Sequence, residues 1–511
     1  MSVLFRLNDN LEDTNLPVQL RVSMLSNYGK PQEEFLLECI KEYRKSEMYK
    51  LMKTGRDYFF NENAINKRKR YYIDRQGTPV ETELLCNSKL SHPFMRKLVN
   101  QKVNYLLSKD FTIQGDSNYV ELLNEYFNDS FKLTLTNIGS ASVINGIAWV
   151  QVYYNENGEL RFKHIPTKEI IPFWADNEHK HLDAIIRIYD NEEYSINSVE
   201  KKIWEYIEYY TKEGLWKYKR LKSGGNLIPL NASNLGEGHF RVLTSEGEQQ
   251  AVWDKIPFVA FKYNRDEVSL IKWIKPLIDD YDINTSDNSN NLQDVPNSIK
   301  VIKGYEGNDK QEFSKNLSIF RNVFVGEGGD VTSLETPTNI AESDIHLQRL
   351  RKDIFEFGGG VDTVDKELRD VSGVALRFQY ADLDMDCSEM AQQYKYSLRQ
   401  LQWFINKDLQ RKGIDFDAKN SNFLFNTAVI LNESETINNL AISQNLISKK
   451  TLLENHPWVK NTQKELSQLE QDKKEQIEYE TQTAEELAKI NKKYKVTTSS
   501  NTTNKTNSKK S

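Results

Sequence analysis

Apolar residues recur every three to four positions along most of this chain, and every two positions in one stretch of its first half. Phe35, Leu36, Cys39, Ile40 and Tyr43 fall on one helical face. Pro31 with Glu33 and Glu34 opens that helix and Gly55 closes it, so a helix is expected over 31–54. Phe94, Leu98, Val99, Val103, Leu106 and Leu107 place a second over 87–108, and two more are expected over 119–128 and 131–145. The period then switches to two. Trp149–Tyr154 and Leu160–His164, joined by Asn155–Gly158, read as a hairpin. Further strands are expected near 184–189, 201–210, 214–221 and 256–261, which makes residues 56–260 an α+β region with an antiparallel sheet.

The pattern changes from residue 270. A helix is expected over 270–295, but between Leu277 and Val295 it is polar on most sides. It carries Asp279, Asp280, Asp282, Asp287 and Asp294 and no Lys or Arg. A helix polar on most faces needs neighbours that bridge it. A short β-rich insert follows, with strands at 299–302 and 319–325 and a Gly-rich turn at 326–330. A helix over 339–357 ends at Gly358-Gly359-Gly360. A polar loop reaches Val371, and a long helix runs from Ser372 to about Lys412, on the order of 60 Å. Charged helices are expected at 433–445, 449–455 and 462–494, the first behind a capping box at Asn432–Glu435. Residues 496–511 hold twelve Ser, Thr or Asn and are expected to be a disordered tail. No internal repeat is evident.

Length adds the expectation of roughly three or four domains in 511 residues. A net charge of -6 argues against a surface that grips DNA throughout. Three widely spaced cysteines, Cys39, Cys86 and Cys387, suggest neither a zinc ribbon nor a redox dithiol, and fit a reducing place of synthesis. No run approaches the ~20 apolar residues of a membrane helix, and no secretory signal is visible at the N-terminus.

No catalytic constellation stands out. There is no Walker loop, GxSxG or HExxH. His179 and His181 flank Lys180, but a lone pair of imidazoles falls short of the about four ligands of structural zinc, and a solvated loop is the plainer reading. The clusters Asp279/Asp280/Asp282 and Asp382/Asp384/Asp386 could serve a two-metal nuclease, or be a solvated or channel-facing surface. Lys67-Arg68-Lys69-Arg70 could touch phosphate, or be a solvated strand end. No cofactor is indicated.

The order of these pieces resembles the portal (head–tail connector) proteins of tailed bacteriophages, in particular those of long non-contractile-tailed phages of Gram-positive hosts. The wording agrees locally: Asn87–Lys109 with the family's early helix, Gly146–Trp149 with Ile165-Pro166 and Ile170–Pro172 for its first sheet. Leu277–Asn284 with Ser286-Asp287 is similar to its stem, Ser372–Leu376 to the start of the helix after the tunnel loop, and Ile447-Ser448, Thr451–Leu453 and Pro457 to its crown. The resemblance covers about residues 30–480. It implies an α+β, largely helical portal fold, assembled as a ring, usually of twelve copies, around a central DNA channel. An irregular arm (1–30) would precede a wing (31–268, plus 372–431 with the long helix and a following strand). Stem helices (269–297 and 338–357) would flank a clip (298–337). A tunnel loop (358–371), a helical crown (432–495) and the tail would complete it. Asp279, Asp280, Asp282 and Asp287 would face the channel, and Gly358, Gly359, Gly360, Lys366 and Arg369 would form the loop at the DNA. The implied partners are double-stranded DNA, the terminase large subunit, capsid and scaffolding proteins and a head-completion connector. The implied place is the portal vertex of a virion, after synthesis in the bacterial cytoplasm. A non-enzyme is expected; the alternatives are a metal-dependent DNA-processing enzyme or a virion structural protein without a channel.

Overall fold

A computed structural model describes residues 33–73, 76–83, 86–194, 201–230, 236–244, 247–294, 299–303, 330–334, 340–364, 378–418, 421–426, 433–459 and 462–500. The chain forms two units, one of residues 1–370 with 376–428, the other of 371–375 with 429–511.

The larger unit begins with α1 (Glu33–Lys45) and α2 (Glu47–Phe59), where a single helix was expected. Ser46 makes the break. Its backbone is extended, and its Oγ accepts the Tyr49 N–H at 3.2 Å as an N-cap. Gly55 is no stop: it lies inside α2, where a Cβ would come within 2.4 Å of the Ile144 carbonyl oxygen. The stop is Asn61, whose φ of 63° gives the left-handed turn that Asn tolerates.

Strands β1 (Tyr71–Ile73) and β2 (Pro79–Glu81) pair with each other. Helix α3 is Phe94–Leu107, seven residues shorter at its start than the apolar pattern suggested. Pro93 explains this, because the residue before a proline is pushed to extended backbone. After β3 (Thr112–Gln114) come α4 (Ser117–Tyr126), capped by Asp116, and α5 (Asp129–Asn145), capped by Asn128. Strands β4 (Ile147–Tyr154) and β5 (Leu160–Ile165) form the expected hairpin.

The sheets are completed by β6 (Ile170–Trp174), β7 (Leu182–Tyr194), β8 (Lys201–Tyr210), β9 (Leu215–Leu221), β10 (Ile228–Pro229), β11 (Phe240–Thr244), β12 (Gly247–Ala251) and β13 (Phe258–Lys262). One sheet has the order β13-β4-β5, another β10-β9-β8-β7-β6, and all their pairings are antiparallel. Leu36, Cys39, Ile40 and Tyr43 of α1 cover one face of the five-stranded sheet.

Helix α6 (Ile271–Asp294) follows, then β14 (Ile299–Lys303), β15 (Asp330–Leu334) and α7 (Ile340–Phe357). β14 pairs antiparallel with β15, a strand that the pattern did not reveal. The expected strand at 319–325 and the glycines at 326–329 lie outside the described residues. The long helix α8 spans Ala381–Arg411, about 46 Å, shorter than expected; residues 365–377 before it lie outside the described residues. β16 (Asn422–Leu424) returns to pair with β3. The main core joins α3, α5, the three-stranded sheet, the start of α6, the end of α7 and α8, around Leu98, Ile138, Val150, Phe261, Ile274, Ile354 and Tyr394.

The second unit holds α9 (Glu433–Ser443), α10 (Lys449–Glu454) and α11 (Thr462–Ser500). Ser448 caps α10 by accepting from Thr451 N–H. Helix continues to Ser500, so the expected tail does not start at 496; residues 501–511 lie outside the described residues.

Candidate functional site

The polar helix owes its polarity to its own chain. Asp282, Ser286 and Asn290 repeat every four residues on α6 and are buried. The segment 87–93, freed from helix by Pro93, runs alongside. Ser88 N–H donates to Asn290 Oδ1 at 2.7 Å, Leu90 N–H to Ser286 Oγ at 3.0 Å, and His92 N–H to Asp282 Oδ1 at 3.0 Å. The spacing fits: two residues of extended chain advance about 6.6 Å and four of helix about 6.0 Å. Alternate amides therefore meet successive polar side chains. Asn63 Nδ2 adds a bond to Asp282 Oδ2 at 2.6 Å, and His92 Nδ1 lies 2.7 Å from Asp282 Oδ1. A helix polar on most faces needs neighbours that bridge it, and the ladder supplies one from within the same chain.

The other selected carboxylates have different surroundings. Asp279 accepts from the Tyr58 hydroxyl and from Lys275. Burial, then the bond to Asp279, pushes the Tyr58 hydroxyl pKa up. Asp280 meets His346 Nε2 of α7 at 3.0 Å, and Asn288 Nδ2 donates to Ser343 Oγ at 2.6 Å, so α7 runs back along α6. Asp287 pairs with Arg68 and, at 2.9 Å, Arg70. Burial opposes its charge, but the bond and pull of Arg68, with Arg70, outweigh that and hold its pKa below the usual range. Part of the basic run is thus an anchor for α6, not a solvated strand end. Asp280 and Asp287 keep nearly half of their side-chain surface exposed, Asp279 about a quarter, and Asp282 none. Asp282 therefore has nothing to present to a channel.

The three glycines close α7. Gly359 N–H donates to Glu356 O and Gly360 N–H to Phe355 O, with Gly359 at φ 54°, the bonding of a Schellman cap. Neighbours crowd the other two: a Cβ on Gly358 or Gly360 would lie 2.7 or 2.2 Å from a methyl of Leu98. Lys366 and Arg369 lie outside the described residues. Lys102, which motif reading passed over, is buried on the apolar face of α3. A lysine in step with Leu98, Val99 and Leu106 was the signal available.

Several of the remaining candidates are taken up by packing, while His181 and Asp382 stay exposed. His179 stacks on Trp174 at 4.8 Å and lies 2.8 Å from Glu267, so it is no solvated loop residue. Burial opposes the Glu267 charge, but His179 and Lys262 hold its pKa low. Asp384 accepts from Tyr105, while Asp386 takes Lys102 and Tyr263. Among the described residues, no three His, Cys, Asp or Glu side chains converge as a metal site, and no helix is long and apolar enough to cross a membrane.

The model of the family "Phage portal protein, SPP1 Gp6-like" matches residues 39–479. The chain belongs to this family. Its relatives include the portal protein of Bacillus phage SPP1, 25% identical over 460 residues that cover 89% of each chain. The portal protein of Clostridium phage phiCD119 is 24% identical over 420 residues, 79% of this chain and 88% of the relative. The match therefore takes in the larger unit from α1 onward, α9, α10 and the first half of α11.

Proposed function

We propose that this chain is the repeating subunit of a ring enclosing the DNA channel at one capsid vertex. The observation that carries the reading is the family match over residues 39–479, with relatives covered nearly end to end. In this reading residues 31–268 are the wing, α6 and α7 the stem, 298–337 the clip, 358–371 the tunnel loop and 432–495 the crown. The ring, of twelve copies, starts procapsid assembly, docks terminase during packaging and then receives the head-completion protein. We assign it no catalytic step.

Two features support the stem assignment. α6 and α7 lie side by side and lead into the β14–β15 pair, as stem helices flanking a clip would. Their outer sides expose Trp273, Ile283, Leu292 and Ile345, apolar groups suited to contact with the next copy. Of the four stem carboxylates, Asp280 has the free surface to line a channel, while the open Asp287 is already neutralised by Arg68 and Arg70. A wall repelling phosphate does not trap a moving duplex. The test is electron microscopy with light scattering on the purified chain. A twelve-membered ring of 59.6 kDa subunits weighs about 715 kDa and shows a central hole. A monomer at high concentration and physiological salt would overturn the reading.

A further inference from the structure

We propose that Gln101 and Lys102, adjacent on α3, are positioning residues of the channel loop. They hold the chain from Gly359 to Asp362 as a fixed mount, so that it turns into the loop at Thr363 and Val364, not at the three glycines. The role of the loop rests on the portal reading; the mount does not.

Gln101 treats Val361 as a neighbouring strand would. Its Nε2 donates to Val361 O at 2.6 Å and its Oε1 accepts Val361 N–H at 3.1 Å, so one side chain holds both backbone groups. Lys102 has no exposed side-chain surface. Its Nζ donates to Gly359 O at 2.8 Å and to Asp386 of α8, which also accepts the Tyr263 hydroxyl at 2.7 Å. Leu98, one turn earlier on α3, fills the space at Gly358 and Gly360. Arg351 of α7 grips Asp362 through both carboxylate oxygens, with Lys97 3.7 Å away. Burial opposes the Asp362 charge, but Arg351 and the Val364 N–H hold its pKa low. Each residue from 358 to 362 is thus bonded or packed against α3 or α7. Thr363 and Val364 are exposed and more loosely held, Thr363 by Lys97 Nζ at 3.4 Å and Val364 by its N–H to Asp362 Oδ1 at 3.2 Å. Through Lys102, a pull on the mount reaches Asp386 near the start of α8. Removing a buried ammonium that bridges a backbone carbonyl and a carboxylate strands the carbonyl and takes the cationic partner from Asp386, which keeps the Tyr263 hydroxyl, so the link resists slipping.

The test compares amide hydrogen exchange in the full chain for wild type, Gln101→Ala, Gln101→Glu and Lys102→Met, with packaged DNA per particle as second readout. In wild type, Gly360 and Val361 amides should be protected. Gln101→Ala should speed exchange at Val361 about tenfold, affect Gly360, bonded to Phe355 O, less, and leave β4 and β7 unchanged. Gln101→Glu keeps the acceptor for Val361 N–H but sets a second acceptor against Val361 O, so it should speed exchange at least as much as Gln101→Ala. Packaging should slow about two- to threefold at unchanged ring yield. Should Lys102→Met fail to fold, the half-buried Gln101 still decides the matter. Fast wild-type exchange at Gly360 and Val361 would overturn the mount, as would no change in Gln101→Ala. Faster exchange with normal packaging would overturn the positioning role. A wild-type chain that forms no ring sinks the portal reading instead, while the exchange arm still decides the mount.

Discussion

Helices α6 and α11 look alike as sequence, both long and poor in apolar residues, yet their polarity has opposite meanings. In α6 the stripe Asp282, Ser286, Asn290 is buried and bonded to the amides of a neighbouring extended segment. In α11 every residue from 470 to 490 is exposed, and its side-chain bonds run along the helix, as from Gln471 to Glu475 and Gln476 to Glu480. Such pairs contribute only about 0.2–0.5 kcal/mol each. The polar residues of α6 hold a tertiary contact; those of α11 are a solvated surface. Composition does not separate the two cases. Spacing does so only once the partner is known: a strict repeat of four suits a strand alongside.

Mutation can break this contrast. The largest effect is expected for Asp282→Ala, which strands His92 N–H and leaves Asn63 Nδ2 with the His92 carbonyl at 3.2 Å. At about 1–3 kcal/mol per stranded group the loss should reach roughly 3 kcal/mol in denaturant unfolding. An effect under about 0.5 kcal/mol would mean that the ladder does not form in solution.

Gly359→Pro tests the C-terminal cap of α7. Proline fixes φ near -65°, whereas Gly359 sits at 54° and donates its N–H to Glu356 O. A stability loss of about 3 kcal/mol is expected. Thermal unfolding close to wild type would mean that the Gly359 cap does not hold in solution.

Ser286→Ala removes the acceptor of a single part-buried amide, Leu90 N–H, and should cost about 1 kcal/mol by chemical denaturation. Its partner experiment is Gln476→Ala in α11, expected to stay within about 0.5 kcal/mol. Equal effects would erase the distinction between the two helices.

The smallest effect is a pH dependence. Arg68 and Arg70 lower the Asp287 pKa in the folded chain, so their pairing stabilises fully above the unfolded value of about 3.9 and is lost as pH falls through the folded one. With much of Asp287 exposed to solvent, the term should stay under about 1 kcal/mol. Asp287→Asn should flatten the stability profile below about pH 4, measured by urea unfolding.

Much of the fold was legible because burial imposes its period on the chain. α5, α6, α7 and the β4–β5 hairpin lie within a few residues of their expected places, since each carries a stripe or an alternation facing a core. The misses have local causes. Ser46 splits an apolar stripe that reads as continuous, and Pro93 turns the start of another into extended chain. β15 has Asp330, Thr332 and Ser333 among its five residues, and its pairing with β14 is a contact across 26 intervening residues, 304–329, that no local pattern records.

The sequence by itself determined the elements, their order and, through the family match, the kind of protein this is. Hydrophobic period, caps and turn residues act within a few positions of one another, so they can be read along the chain. Tertiary structure decided what the polar residues do. Asp282 is shut away against Asn63 and His92, while Asp280 and Asp287 keep open surface, although all three are aspartates on one helix. Lys102 became a link between Gly359 and Asp386, and Gly358 and Gly360 became contact points for Leu98. A charge or a missing Cβ has no meaning until its partner is known, and these partners lie hundreds of positions away.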